Sequence, residues 1–279
     1  MIDLSLSILF TILLFLFFKE FDKRQINTLQ AITFNYLSAG LLSLSFGNSG
    51  YNYENIILSD WILPTFILGI FFIVMFNVMA LTTQRLGVTI GSLASKMSLI
   101  IPVLAALLFQ GDQWTFLKII GIVTAIVSVY LTIKKDKKHS GPIYLAIILF
   151  VGAGLLDTIL SHIQFLYLDN PQSKNHFTTT VFLVAFATGV LLLLFKKQGL
   201  KARNVVAGIL LGVPNYFSIF FVLRSLESME SSLVFPILNI GVVVLSALIG
   251  WAYYKEQLSK LNFLGVGLAI VSICVLLIA

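Results

Sequence analysis

Lys96 sits in the run Ser95-Lys96-Met97, inside a long apolar stretch. It lies eight residues past Val88, where that stretch begins. At about 1.5 Å per residue, a helix would carry it roughly 12 Å into a bilayer. An ammonium group at that depth costs several kcal/mol unless it is paired, hydrated or neutral. Three roles are open to it: binding an anionic substrate group, titrating during a transport cycle, or pairing structurally with a carboxylate or helix carbonyls. Asp157 is the natural counterpart. It lies fourteen residues past Ile143, roughly 21 Å from the same face, so the two differ in depth by about 9 Å. An extended lysine spans most of that distance. As a carboxylate, Asp157 could also carry a proton or a cation. His162 follows five residues later, where a lone histidine is as well explained by a simple hydrogen bond.

Asn77, Asn215 and Asn239 add amides to three other apolar runs. Amides suit substrate hydrogen bonding, and they equally hold helices to one another. A spacing of 143 residues (239 less 96) aligns Asn239 with Lys96. Asn35 reads as structural. Phe71, Phe72, Tyr216, Phe217 and Phe220 could line an apolar path, although in a chain with 24 Phe lipid contact explains them as well. No HExxH, GxSxG, P-loop or Cys/His cluster occurs, and Gly265-x-Gly267 lacks the third glycine of a nucleotide fingerprint. The expectation is therefore no catalytic residue, no metal, no cofactor and no enzyme. Cys274, the single cysteine, cannot form an intrachain disulfide.

The elements that must position these residues are legible in the composition. The chain is 58% hydrophobic and 11% charged, too apolar for a soluble domain, whose surface must face water. The expected class is an all-α polytopic membrane protein. Ten apolar runs are long enough for the roughly 30 Å hydrocarbon core: Ile2–Phe18, Thr28–Phe46, Trp61–Thr83, Val88–Phe109, Thr115–Ile133, Ile143–Leu166, Phe177–Phe195, Val205–Leu223, Ser231–Tyr254 and Leu261–Ile278. The first run lacks the basic start and cleavage site of a secretory signal and is expected to be retained. The net charge of +6 resides in short loops, not in a nucleic-acid patch. One set of loops holds 14 Lys and Arg: 19, 23, 24, 85, 134, 135, 137, 138, 196, 197, 201, 203, 255 and 260. The alternate set holds Lys118, Lys174 and Arg224. The basic set is expected in the cytoplasm, which puts both termini, and the loop with Glu54 and Asp60, outside.

The chain also repeats itself. Ala-Ile-Val-Ser occurs at Ala125–Ser128 and Ala269–Ser272, a spacing of 144 (269 less 125). The same spacing pairs Gly121 with Gly265, Asp112 with Glu256, Gln113 with Gln257 and Thr115 with Ser259. Leu68-Gly69 recurs as Leu211-Gly212 at a spacing of 143. The expected domains are residues 1–138 and 139–279, each a five-helix repeat. Five is odd, so the second copy enters the membrane from the opposite side, giving ten transmembrane helices as two inverted repeats. Such symmetry gives a transporter two related states, one open to each face. Gly87–Gly91 and Gly208–Gly212 have the GxxxG spacing of close helix contacts, and Pro102, Pro214 and Pro236 permit bends.

Each half closes with a proline-bearing apolar segment, an acidic residue, a polar turn and a glycine-opened last helix. The second reads Phe235-Pro236 … Tyr254-Lys255-Glu256-Gln257-Leu258-Ser259 … Leu264-Gly265; the first reads Ile101-Pro102 … Gln110-Gly111-Asp112-Gln113-Trp114-Thr115 … Ile120-Gly121. This pattern, with the ten runs, resembles the EamA-type permeases of the drug/metabolite transporter superfamily. Asp112 stands where that family usually has Glu, and both prolines depart from its spacing. The resemblance implies a cavity surrounded by spans one, three, four, six, eight and nine, with spans five and ten away from it. It also implies cytoplasmic termini, the reverse of the charge count. The expected function is a secondary transporter of the inner (plasma) membrane that moves a small organic metabolite, proton-coupled or by exchange. Lys96 favours a carboxylate or phosphate on the cargo. Lys96, Asp157, Asn77, Asn215 and Asn239 are the candidate substrate-binding residues. The partners are the solute and the lipid bilayer, with no nucleic acid and a homodimer left open. A non-transporting scaffold or sensor subunit, and a lipid-carrier flippase, are the alternatives.

Overall fold

The computed structural model describes residues 1–46, 56, 59–109, 115–133, 142–167, 171–197, 199–229 and 231–278. Asp112, Gln113, Glu54, Glu230 and the basic stretch from Lys134 to Lys138 lie outside the described residues, as do the side chains of Glu227 and Pro236. The described residues form helices and turns, with no strand. The helices are α1 (Ile2–Lys23), α2 (Thr28–Phe46), α3 (Ile62–Leu86), α4 (Val88–Met97), α5 (Ile100–Phe109), α6 (Phe116–Ile133), α7 (Tyr144–Tyr167), α8 (Pro171–Phe195), α9 (Ala202–Ser228), α10 (Ser231–Ala252) and α11 (Lys260–Ile278). Six are long and apolar enough to cross a membrane: α1, α3, the Val88–Ala105 stretch, α9, α11 and most of α8. Phe116–Thr132, Tyr144–Leu160 and Ile237–Ala252 are shorter apolar helices. The third and fourth runs meet at a single residue, Gly87.

The fourth run is not one helix. It breaks at Ser98-Leu99, directly after Lys96 and Met97. Pro102 is the cause: it has no N–H to give the carbonyl of Ser98, and its ring crowds that carbonyl. Ile101 N–H takes the carbonyl instead, at 2.9 Å, in a tighter turn. Ser98 Oγ donates to Ser95 O at 2.5 Å. Pro214, by contrast, lies within the continuous helix α9.

The chain forms two compact units, each drawing on both sequence halves. The first comprises Met1–Glu20, Val78–Leu155 and Ser218–Ala279. Its core joins Leu93, Met97 and Ile100 to Ile122, Ala125, Val243, Ala247, Val266, Ala269 and Ile273. Here the two Ala-Ile-Val-Ser segments meet, because α6 and α11 pack side by side. Gly121, near the start of α6, faces Leu276 at the end of α11. Gly265, near the start of α11, faces Thr132 at the end of α6. The spacing of 144 carries Gly121 to Gly265 and Thr132 to Leu276, so the two contacts are images of one another. Equivalent helices thus run antiparallel. Ser272 Oγ donates to Gly121 O at 2.7 Å across the same seam. The caps repeat as well: Thr115 Oγ1 accepts from Lys118 N–H, and Ser259 Oγ from Asn262 N–H, each at 3.2 Å. Each satisfies one of the orphan donors of a helix start.

The second unit comprises Phe21–Asn77 and Leu156–Phe217. Its seam is α2 against α8, again equivalent helices and again antiparallel. Thr33 meets Gly189 early in α2, and further along Ser43 Oγ shares a 2.7 Å hydrogen bond with Thr179 Oγ1. Gly40 faces Leu183, its own image at the spacing of 143. The repeated Leu-Gly pairs meet equivalent helices through different residues: Gly69 meets Val184 on α8, and Gly212 meets Asn35 and Ser38 on α2. A polar knot ties the α1–α2 turn to the start of α9. Gln30 Oε1 accepts from Asn204 Nδ2 at 2.8 Å, Gln30 Nε2 donates to Gly199 O at 2.9 Å, and Asn204 Oδ1 accepts from Asn27 N–H at 3.2 Å.

The glycine contacts support a direct prediction. A Cβ on Gly208 would press on the backbone carbonyl of Ala31, which cannot swing aside. Gly267 has nothing within 4 Å of that position. Gly208→Ala should therefore cost about 1–3 kcal/mol, whereas Gly267→Ala should be neutral or slightly stabilising. Thermal unfolding of the two purified variants makes the comparison.

Candidate functional site

Lys96 lies in the last turn of α4, one residue before the helix ends at Met97. Every other residue of α4 except Ser95 is buried, and Ser95 and Lys96 are half-buried. Lys96 and Ser95 are thus the least enclosed residues of α4. The Pro102 break leaves backbone carbonyls near Lys96 at a negative helix end, which favours a cation there.

The other end of α4 is held by a distant part of the chain. Gly87 offers no capping side chain. Instead the Glu256 carboxylate, following α10, accepts from Val88 N–H at 2.5 Å, Thr89 N–H at 3.2 Å and Thr89 Oγ1 at 2.8 Å. Two glycines make room for it. A Cβ on Gly87 would stand 2.6 Å from Glu256 Oε1, and one on Gly250 would stand 2.5 Å from both Glu256 Oε2 and Thr89 Oγ1. The carboxylate is aimed by a left-handed turn at Lys255 (φ 54°), after which Glu256 N–H returns to Gly250 O at 2.9 Å. More contacts close the same end. Lys19 Nζ donates to Gln84 O at 3.3 Å, Gln84 Nε2 to Phe18 O at 3.2 Å, and the Tyr254 hydroxyl to Glu20 Oε1 at 3.2 Å. Burial, then the neighbouring Glu20 carboxylate, hold the Tyr254 phenol above its usual range, so it remains a donor.

Asn239 belongs to the same unit as Lys96, on α10, which packs against α4. It is buried on the stripe with Val243, Ser246 and Ala247, away from exposed Leu245 and Leu248. Ser246 Oγ, fully buried, has no hydrogen-bond partner among the described residues. The packed pair α4 and α10 therefore carries a lysine, an amide and a buried hydroxyl.

The remaining candidates fall in the second unit. Asp157 is exposed, yet α7 turns it about 180° from the exposed apolar stripe of Ile148, Val151, Leu155 and Ile159. Asn215 is buried, opposite the exposed face of Val206, Ile209 and Val213. Asn77 is different. It lies on the same side of α3 as exposed Ile70, Val74 and Leu81, and its Nδ2 donates to Ile73 O in its own helix at 2.8 Å. That geometry fits a self-satisfied amide on the outward face. Asn35, read from sequence as structural, is fully buried with neither amide atom hydrogen-bonded among the described residues. His162 is exposed. Tyr216 and Phe217 cluster with Phe46.

Sequence reasoning placed Glu256 in a repeated ending but did not find its receptor. The separation of 168 residues hides the pair. The only local signal was Gly87-Val88-Thr89, a helix start without a capping side chain.

No family model matches the chain. An uncharacterized protein of Haemophilus influenzae is 28% identical over 280 residues, covering 95% of this chain and 93% of that one. A protein crystal structure aligns over 98% of this chain and 95% of its own, with a TM-score of 0.57 and 13% identity. That likeness is one of fold, and it extends over nearly the whole of both chains.

Proposed function

We propose that this chain is a secondary transporter of the EamA-type drug/metabolite kind, carrying a small anionic metabolite by alternating access. Ten membrane-crossing helices form two inverted five-helix repeats, residues 1–138 and 139–279. The observation that carries the reading is the antiparallel pairing of equivalent helices, α6 with α11 and α2 with α8, through contacts that map onto each other at spacings of 144 and 143. A two-fold axis across the helices has this signature, and inverted repeats supply such an axis. Lys96, at the mouth of a broken helix, binds the carboxylate or phosphate, and Asn239 offers an amide nearby. In the second unit Asp157 and Asn215 are the remaining candidate substrate-binding residues, and Asn77 is left out. The basic loops face the cytoplasm and both termini face outward across the inner membrane.

Purified protein in sealed vesicles tests the reading directly. Uptake of at least one solute from a panel of carboxylates and phosphates should exceed that of protein-free vesicles and saturate with concentration. No uptake of any panel member, with the protein inserted and folded, would favour the scaffold or sensor reading. A reporter fused to the C-terminus that is active in the cytoplasm would overturn the assigned orientation.

A further inference from the structure

We infer that Glu256 is a positioning residue and a releasable latch for α4: it holds the N-terminus of the Lys96 helix in this state and lets go when that end opens to water. The inference rests on the transport reading. Three donors converge on one carboxylate, contributed by the second half of the chain to a helix of the first. Gly87, Gly250 and the left-handed Lys255 keep space and direction for it, so the contact is built into the backbone on both sides.

Three features make it a latch as well as a cap. First, the chain supplies no cap of its own, since Gly87 has no side chain. The N-terminus of α4 therefore depends on a group that reaches it from another helix pair. Second, α4 is ten residues long, with a single-residue joint at Gly87 and a proline-induced break at Ser98-Leu99. It is a short rod with a hinge at each end. Third, releasing the carboxylate orphans the Val88 and Thr89 donors, which only water can then satisfy. Release and hydration of that end are one event. The contacts of Lys19, Gln84, Tyr254 and Glu20 close the same end. A cap of this type biases an equilibrium by roughly tenfold or more, the scale on which a gate can be both shut and opened.

The experiment uses single-cysteine proteins in a Cys274→Ser background. Ser92, fully buried one turn inside the cap, is replaced by cysteine and reacted with a membrane-impermeant maleimide from each face of sealed vesicles. Glu256→Gln removes the charge and puts an NH2 donor at one of the two positions where the donors need an acceptor. Gly250→Ala keeps the carboxylate but displaces it from its seat. Either variant should raise labelling from the Glu256 face about tenfold, with labelling from the opposite face unchanged or lower, and with the protein still folded by thermal unfolding. Unchanged labelling in folded Glu256→Gln and Gly250→Ala proteins would overturn the latch. So would an equal rise from both faces, which is loosening and not gating. Failure of both variants to fold would also overturn it, leaving Glu256 a structural cap. Wild-type uptake is measured separately, so a protein that transports solute without latch-dependent labelling loses the latch and keeps the transport reading.

Discussion

Lys96→Met should reduce solute uptake by about 10- to 150-fold while leaving the protein folded. A charge-assisted hydrogen bond to a carboxylate or phosphate contributes about 1.5–3 kcal/mol, and each 1.4 kcal/mol is a tenfold change in affinity. Methionine keeps most of the side-chain length and apolar stem but removes the charge and all three donors. The thermal midpoint should stay within about 3 °C of wild type, because Lys96 is half-buried at a helix end and loss of a charge from an apolar slab relieves a desolvation cost. The loss should appear mainly as a raised half-saturation concentration. Lys96→Arg, with the charge kept but a planar fork in place of a compact ammonium, should fall between the two. A parallel fall in uptake and melting temperature would instead identify Lys96 as a structural lysine, paired to hold α4 in place.

The repeat was the most legible part of this chain, and particular residues show why. Gly121 and Gly265 recur because each lies under a residue of the partner helix, Leu276 and Thr132. Thr115 and Ser259 recur because each caps the start of an equivalent helix. Backbone proximity and caps restrict residue type tightly, so both copies kept them. Pro102 was legible as a bend, and the bend is a full break in which Ile101 N–H takes the Ser98 carbonyl that the proline cannot serve. The side a polar residue faces was harder to read. Asn77 and Asn239 are alike in sequence context, yet one lies on an exposed apolar stripe and the other in a buried one. In a chain apolar on all sides, hydropathy does not distinguish lipid from protein as neighbour. Glu256 was the largest omission. Its partner lies 168 residues away, and a carboxylate in a helix-connecting turn carries no local sign of the distant helix start it caps.

The glycines that seat the Glu256 carboxylate support the other prediction of large effect. Gly87→Ala should destabilise the protein by about 2–4 kcal/mol, near the top of what a single added methyl can do. Gly87 has φ 104° and ψ 165°, a region open essentially only to glycine and costing about 1–3 kcal/mol for any other residue. The added Cβ would also stand 2.6 Å from Glu256 Oε1 and 2.7 Å from Glu256 Cδ. The carboxylate must then move, and a displaced cap costs about 1 kcal/mol more. For a chain of this size the sum corresponds to a fall of roughly 3–7 °C in melting temperature. Gly87→Ala combined with Glu256→Ala separates the two contributions. Removing the carboxylate removes the collision but not the backbone strain, so the double variant should be less destabilised than the sum of the singles, by about 1 kcal/mol. Strict additivity would mean that the methyl and the carboxylate never meet, and that Gly87 is required for its backbone conformation alone.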